Sequence, residues 1–371
     1  MNLTYKINNT EHFVTFCKAD NINAISKSLE KIKSDKNILF IYDNKVDKSL
    51  VEEIYQELKL SGCNIYSLKC EGKKSNKNEK LLFSIIDLLL KKKFTKRSII
   101  ISLGGGVVGD VSALASSLYL RGLYYYCIPS TMTAIVDSSI GGKTAINYGG
   151  IINSLGTYYH PKNVFILEKV ISKLPDREFN AGITEIIKCG LIDKNGILNF
   201  LDKNKKEIIK RKNSIIFKIC YLTLKSKIKF FQNDIYEKDL RLRLNFGHTF
   251  GHAIEMSIEN NLKKDFIRHG EAVGLGVLSE IFYANRRKND LFNLVFKLLN
   301  NFNLPTSLNL KNLPINPVKL QNDIYKNIFL DKKKLDKYPR YVSVTKKGSA
   351  NIKEIKDFDL INDTIMKVLL A

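Results

Sequence analysis

Three of the chain's five histidines, His248, His252 and His269, fall in one short stretch. His248 and His252 stand at i and i+4 in Gly247-His248-Thr249-Phe250-Gly251-His252-Ala253-Ile254-Glu255, so a helix there carries both imidazoles on one face. His269 opens another helical segment at His269-Gly270-Glu271-Ala272. Imidazoles gathered this way can hold a divalent metal and leave one position open. A catalytic metal site usually adds a carboxylate. Glu185 is an ionisable residue inside the otherwise apolar Ala181-Gly182-Ile183-Thr184-Glu185-Ile186-Ile187-Lys188, where burying it alone would be costly, so a metal or lysine partner is expected. Spacing leaves open which histidine stands outside the ligand set. An imidazole left beside a metal is a natural acid–base group. Cations surround the cluster: Lys188 one turn from Glu185, Lys225 and Lys227 before it, Arg241 and Arg243 ahead of Asn245, and Asp331-Lys332-Lys333-Lys334 later. A subset converging on one pocket would bind a dianion or trianion.

A second chemistry is written earlier in the chain. Gly104-Gly105-Gly106-Val107-Val108-Gly109-Asp110 follows a β-branched run and opens a helical pattern. Glycines there let backbone approach a pyrophosphate, and a helix N-terminus supplies unpaired N–H groups, so phosphate or dinucleotide binding is expected. The stretch is not GxGxxG, so a standard Rossmann dehydrogenase is not indicated. Pro129-Ser130-Thr131 and Asp137-Ser138-Ser139-Ile140-Gly141-Gly142-Lys143-Thr144 follow the next strand, where ligands collect in open α/β sheets. Asp137, Lys143 and the hydroxyls could contact phosphate, ribose and amide groups.

These residues need elements to hold them. Strand patterns at 37–43, 64–68, 98–103, 124–129 and 164–167 alternate with helical patterns at 45–60, 80–90 and 110–120, which implies a parallel α/β sheet. Beyond residue 174 helical spacing dominates, at 178–193, 214–231, 247–259 and 270–299. Strand signals nearly vanish until Tyr341-Val342-Ser343-Val344. We therefore expect an α/β domain over 1–175 and a mainly α-helical, metal- and substrate-binding domain over 176–371.

The 371 residues carry a net charge of +23, with 60 Lys+Arg against 37 Asp+Glu, which invites a nucleic-acid reading. Lysine travels with Asn and Ile throughout, as in Lys203-Asn204-Lys205-Lys206-Glu207-Ile208, which reads as compositional drift rather than one phosphate-binding face. Zinc-finger spacing, RNA-binding aromatic motifs and heptads are all missing. No specific nucleic-acid partner and no membrane association are expected, since no apolar run is long enough to span a bilayer. The N-terminus shows no signal core, and the scattered Cys17, Cys63, Cys70, Cys127, Cys189 and Cys220 form no CxxC pair. A reducing, cytoplasmic setting is the expectation.

In combination these motifs resemble the 3-dehydroquinate synthases, a family of sugar-phosphate cyclases. The resemblance runs from Asp43 to the Asp331-Lys332-Lys333 segment. It rests on GGGVVGD at Gly104, Arg121-Gly122, DSSIGGKT at Asp137, AGITEIIKCG at Ala181, LNFGHTFGHAIE at Leu244 and HGEAVGLG at His269. It implies an N-terminal NAD-binding α/β domain and a C-terminal helical metal-binding domain. The implied zinc ligands (cobalt being the alternative metal) are Glu185, His248 and His269, with His252 the remaining imidazole. Implied substrate and proton-transfer positions are Asp137, Lys143, Asn153, Lys188, Lys227, Glu237, Arg241, Asn245 and Lys332 or Lys333. Implied cofactor positions are Asp43, Gly105, Gly106, Val107, Val108, Gly109, Asp110, Ser130, Thr131, Asp137 and Lys143. Arg121 matches an arginine that reaches the neighbouring subunit's site, implying a homodimer. The implied reaction turns a small phosphorylated sugar acid, 3-deoxy-D-arabino-heptulosonate 7-phosphate, into 3-dehydroquinate and phosphate, with NAD recycled. The rival readings are another sugar-phosphate cyclase and a metal-dependent polyol dehydrogenase. Departures lie on the NAD side: Ile152 replaces a lysine expected to contact NAD, Lys73 replaces a glutamate, Lys45 a polar residue, and Ser130 a threonine. Weaker NAD binding is the expectation.

Overall fold

The computed structural model describes residues 1–30, 37–262, 266–308, 313–330 and 338–370. The described residues divide into two units, Met1–Pro175 and Asp176–Ala371.

The first unit is built on a seven-stranded sheet flanked by helices. In chain order its elements are β1 (Asn2–Ile7), β2 (Thr10–Cys17), α1 (Ala24–Glu30), β3 (Asn37–Asp43), α2 (Lys48–Leu60), β4 (Asn64–Cys70), α3 (Glu79–Lys91), β5 (Ile99–Gly104), α4 (Gly106–Leu118), β6 (Tyr124–Pro129), β7 (Lys143–Tyr148), β8 (Ile151–Tyr158), β9 (Asn163–Leu167) and α5 (Glu168–Ser172). The sheet order is β1-β2-β9-β6-β5-β3-β4. All pairings are parallel except β1 with β2. β5 is buried along its whole length, and helices cover such parallel strands on both faces, which is why residues 99–103 read as an apolar run interrupted only by Ser102.

Two hairpins depart from the purely parallel sheet read from sequence. β1 and β2 meet antiparallel across Asn8-Asn9, whose φ values of 46° and 64° suit a tight two-residue turn. β7 and β8 pair as a separate two-stranded sheet across Gly149-Gly150, with Tyr148 opposite Ile151. The polar stretch after β6 is not simply a loop: Ala134–Ser138 forms a π-helical turn, and Lys143 begins β7.

The second unit holds α6 (Asp176–Ile192), α7 (Ile197–Lys203), α8 (Lys205–Ile209), α9 (Asn213–Phe231), α10 (His248–Leu262), α11 (His269–Asn285), α12 (Asp290–Asn301), α13 (Pro317–Phe329), a hairpin β10 (Arg340–Lys346) with β11 (Ser349–Glu354), and α14 (Phe358–Thr364). The expected helix over 270–299 is two helices. Arg286 ends α11 in the left-handed region at φ 58°, and the Asn289 side chain caps α12 by accepting the Phe292 N–H.

α6, α10 and α11 pack tightly because glycine removes side chains where their backbones meet. A Cβ on Gly270 would lie 1.9 Å from the Ala181 carbonyl oxygen, and one on Gly276 would lie 1.9 Å from the Gly247 carbonyl oxygen. α11 therefore touches α6 and the start of α10 with no spacer, and these three helices carry the metal candidates.

Candidate metal and dinucleotide sites

Glu185 lies on the buried stretch of α6, fully shielded from water. Lys188, one turn on, is almost as buried and forms an ion pair with Glu185 Oε2. Among the described residues neither Glu185 oxygen accepts a hydrogen bond of sound geometry, although desolvation makes such bonds valuable. Oε1 faces two imidazoles, 4.0 Å from His248 Nε2 and 3.8 Å from His269 Nε2.

The three histidines close around the same space. One ring nitrogen from each of His248, His252 and His269 lies within 4.8 Å of the others. Ring centroids are 5.1 Å apart for His248–His252, 5.4 Å for His248–His269 and 5.7 Å for His252–His269. The i, i+4 spacing on α10 brings His248 and His252 together, and α11 supplies His269 at its first residue. That residue is pinned. Glu271 accepts the Arg268 N–H at 2.9 Å and is forked by Arg177, with Nε at 2.6 Å and Nη2 at 2.7 Å. A buried carboxylate facing imidazole nitrogens is a donor set suited to zinc or cobalt, so the residues present fit a divalent metal.

The cations and amides expected to face a substrate divide by burial. Lys227 on α9 is buried, and so is Arg241. Arg241 donates from Nη1 to the Ile235 carbonyl at 2.7 Å, with its guanidinium 5.6 Å from the Phe231 ring centroid. Asn245 Nδ2 donates to Glu237 Oε1 at 2.5 Å. Glu237 has φ 58°, an uncommon conformation for a side-chain-bearing residue. Lys332 lies outside the described residues.

In the first unit, Gly105 caps α4 without a side-chain bond, and the first turn of the helix carries the positive end of its dipole. Ser130 N–H donates to the Gly104 carbonyl at 2.8 Å, tying the glycine loop to the end of β6. Thr131 Oγ1 accepts the Ala134 N–H at 3.2 Å. A cavity beside the loop is lined by Gly105, Gly109, Asp110, Ser138, Gly142 and Lys143, among others. Val108 is buried, and Asp43 ends β3 with Oδ1 accepting the Lys45 N–H at 3.0 Å. Arg121 and Asn153 are exposed and have φ values of 65° and 51°. Strained backbone of this kind gathers at functional sites.

Two residues that spacing did not single out stand among these groups. Lys77 pairs with Asp110 and donates to Asn153 Oδ1, each at 2.5 Å. It sits in a lysine-rich stretch where no motif separates it from surface charge. Glu255 contacts His269 Nδ1 at 3.0 Å. Its position, seven residues after His248, was the available signal.

The chain matches the family described as 3-dehydroquinate synthase N-terminal over residues 67–181, and that described as 3-dehydroquinate synthase C-terminal over 182–334. It is 33% identical to a 3-dehydroquinate synthase of Ruminiclostridium cellulolyticum over 99% of each chain. In fold it is similar to a 2-deoxy-scyllo-inosose synthase complexed with carbaglucose-6-phosphate, NAD+ and Co2+, with TM-score 0.87 and 22% identity over 100% of both chains. It is also similar to a 2-epi-5-epi-valiolone synthase from Streptomyces hygroscopicus with NAD+ and Zn2+ bound, with TM-score 0.83 and 20% identity over 98% of each chain.

Proposed function

The chain belongs to the 3-dehydroquinate synthase family, and on that premise we propose that it converts 3-deoxy-D-arabino-heptulosonate 7-phosphate into 3-dehydroquinate and phosphate, using a divalent metal and recycled NAD. The observation that carries this reading is the fully buried Glu185 carboxylate, whose Oε1 lies 4.0 Å from His248 Nε2 and 3.8 Å from His269 Nε2. Lys188 pairs with Oε2, while Oε1 is turned to the two imidazoles, where a metal cation would give the buried charge a further partner.

We read Glu185, His248 and His269 as the metal ligands and His252 as the adjoining proton carrier. When bound, the metal polarises a substrate oxygen and NAD accepts and returns a hydride. The chain's own residues do the remaining work. Lys188, Lys227 and Arg241, each buried, bind the substrate's carboxylate and phosphate where water screens least. In the second unit Asn245 and Glu237, hydrogen-bonded to each other, are proposed to complete the polar lining, and Lys143, Asn153 and Lys332 are further proposed substrate contacts. The α4 N-terminus with Gly105 and Gly106 takes the pyrophosphate, and Asp43 takes a ribose hydroxyl. Zinc and cobalt both suit the donor set.

We further propose a homodimer. β8 is exposed along nearly all its length, and Tyr148, Ile151, Ile152 and Leu155 on this hairpin are 53%, 51%, 44% and 48% exposed. An exposed apolar strand of this kind is normally covered by another chain, and Arg121 is the residue proposed to reach across. No described helix is long and apolar enough to cross a membrane. A cytoplasmic location fits six cysteines that are all free thiols.

The deciding assay mixes purified protein with the heptulosonate phosphate, NAD and zinc, and follows phosphate release and dehydroquinate formation. Metal and NAD bound without phosphate release would overturn the assignment.

A further inference from the structure

Glu255 is a buried carboxylate that the reaction outlined above does not use. It follows His248 and His252 on the same stripe of α10, at i, i+4 and i+7, and its side chain is 10% exposed. Its Oε2 lies 3.0 Å from His269 Nδ1, while the other nitrogen of that ring, Nε2, lies 3.8 Å from Glu185 Oε1. The His269 ring is thus held between two carboxylates, one on each nitrogen.

A neutral imidazole carries a proton on one nitrogen and a lone pair on the other, whereas a carboxylate only accepts. Glu255 at Nδ1 therefore selects the form that donates there and presents its lone pair at Nε2, toward Glu185. His248 repeats the arrangement with a different acceptor. Its Nδ1 lies 3.1 Å from the Phe246 carbonyl oxygen, which also only accepts, and its Nε2 faces Glu185. Two rings on two helices thus offer lone pairs to one space.

We infer that Glu255 is a positioning residue for the metal centre: it fixes the tautomer and ring orientation of His269 and raises the basicity of Nε2. The inference rests on the metal reading of Glu185, His248 and His269. Carboxylates in this place behind a ligating histidine characteristically govern metal affinity.

The test uses the full chain as wild type, Glu255→Ala, Glu255→Gln and Glu255→Asp. Each is stripped with a chelator, checked for thermal unfolding as apoprotein, and titrated with Zn2+ against a chromophoric chelator. The visible spectrum is recorded after Co2+ loading. Glu255→Ala is expected to lose roughly 10–100-fold in zinc affinity. Glu255→Gln, which keeps an acceptor oxygen without the charge, loses less, and Glu255→Asp recovers part of the loss. Apoprotein unfolding stays at the wild-type temperature, and the Co2+ bands shift in the Ala variant. If Glu255→Ala fails to fold, the near-isosteric Gln variant carries the comparison. Tight zinc in wild type with unchanged affinity and Co2+ bands in the variants would overturn the positioning role alone. A wild type that takes up no zinc would overturn the metal reading and this inference with it.

Discussion

Asp234 offers the sharpest test of how the groups proposed to face the substrate are held. Its Oδ1 accepts the Lys238 N–H at 2.8 Å, and its Oδ2 accepts the N–H groups of Asp239 and Arg241, both at 2.9 Å. These bonds fold residues 234–241 into the loop that sets Glu237 and delivers Arg241. Burial works against ionisation of Asp234. The N–H donors of Lys238, Arg241 and Asp239, helped by the Arg241 charge, outweigh it and hold the carboxyl below its ordinary range. A hydrogen bond to a charged group contributes about 1.5–3 kcal/mol. Water reaches this half-buried carboxylate, so about 1 kcal/mol for each bond is the appropriate scale, and Asp234→Ala should cost about 3 kcal/mol. Folding lowers the pKa, so the contribution is complete above the unfolded value of about 3.9 and is lost as pH falls through the lower folded value. Urea unfolding of wild type and Asp234→Ala should therefore show the full difference at about pH 7 and a narrower one at about pH 3. The same variant should raise the substrate KM as Arg241 loosens. A difference under about 0.5 kcal/mol at neutral pH, or one that does not narrow in acid, would refute the reasoning.

Glu185→Gln should leave the purified protein with little bound zinc, measured by atomic absorption, because a neutral amide cannot replace the buried carboxylate beside the histidines. Zinc content equal to wild type would remove Glu185 from the ligand set. Ile152→Lys, at a position 44% exposed, should tighten NAD binding by about two- to fivefold in a fluorescence titration, the scale of one exposed ion pair. Wild-type affinity matching that of the Ruminiclostridium relative, measured alongside, would contradict the expected weakness. Leu155→Asp on β8 should convert a dimer to monomers in sedimentation experiments, since a charge would have to be buried in the contact. A monomeric wild type would end the homodimer proposal.

Much of the site was legible because its signals are local. The i, i+4 histidines, an ionisable residue in an apolar helix, and glycines between a buried strand and a helix each follow from backbone periodicity. Lys188 as the partner of Glu185 was readable from i, i+3 spacing alone. The hairpins were harder. Leu3, Tyr5 and Ile7 alternate clearly along β1, and Asn8-Asn9 is a hairpin turn, yet the polar residues around them dilute the pattern. β7–β8 was obscured further because β8 exposes apolar side chains, the reverse of the inward pattern used to find strands. The break after Arg286 was hidden because α11 and α12 keep helical spacing on both sides of it.

Residue types and spacings by themselves determined the α/β and helical halves, the glycine loop, the histidine group and the family resemblance. They could not tell which nitrogen of which imidazole faces a carboxylate, since that depends on three helices distant in sequence. Tertiary packing decided it. Gly270 against Ala181 and Gly276 against Gly247 let α11 approach α6 and α10 closely enough to set His269 between Glu185 and Glu255. A ligand set needs its atoms positioned to fractions of an ångström, and only the close-packed interior fixes side chains that finely.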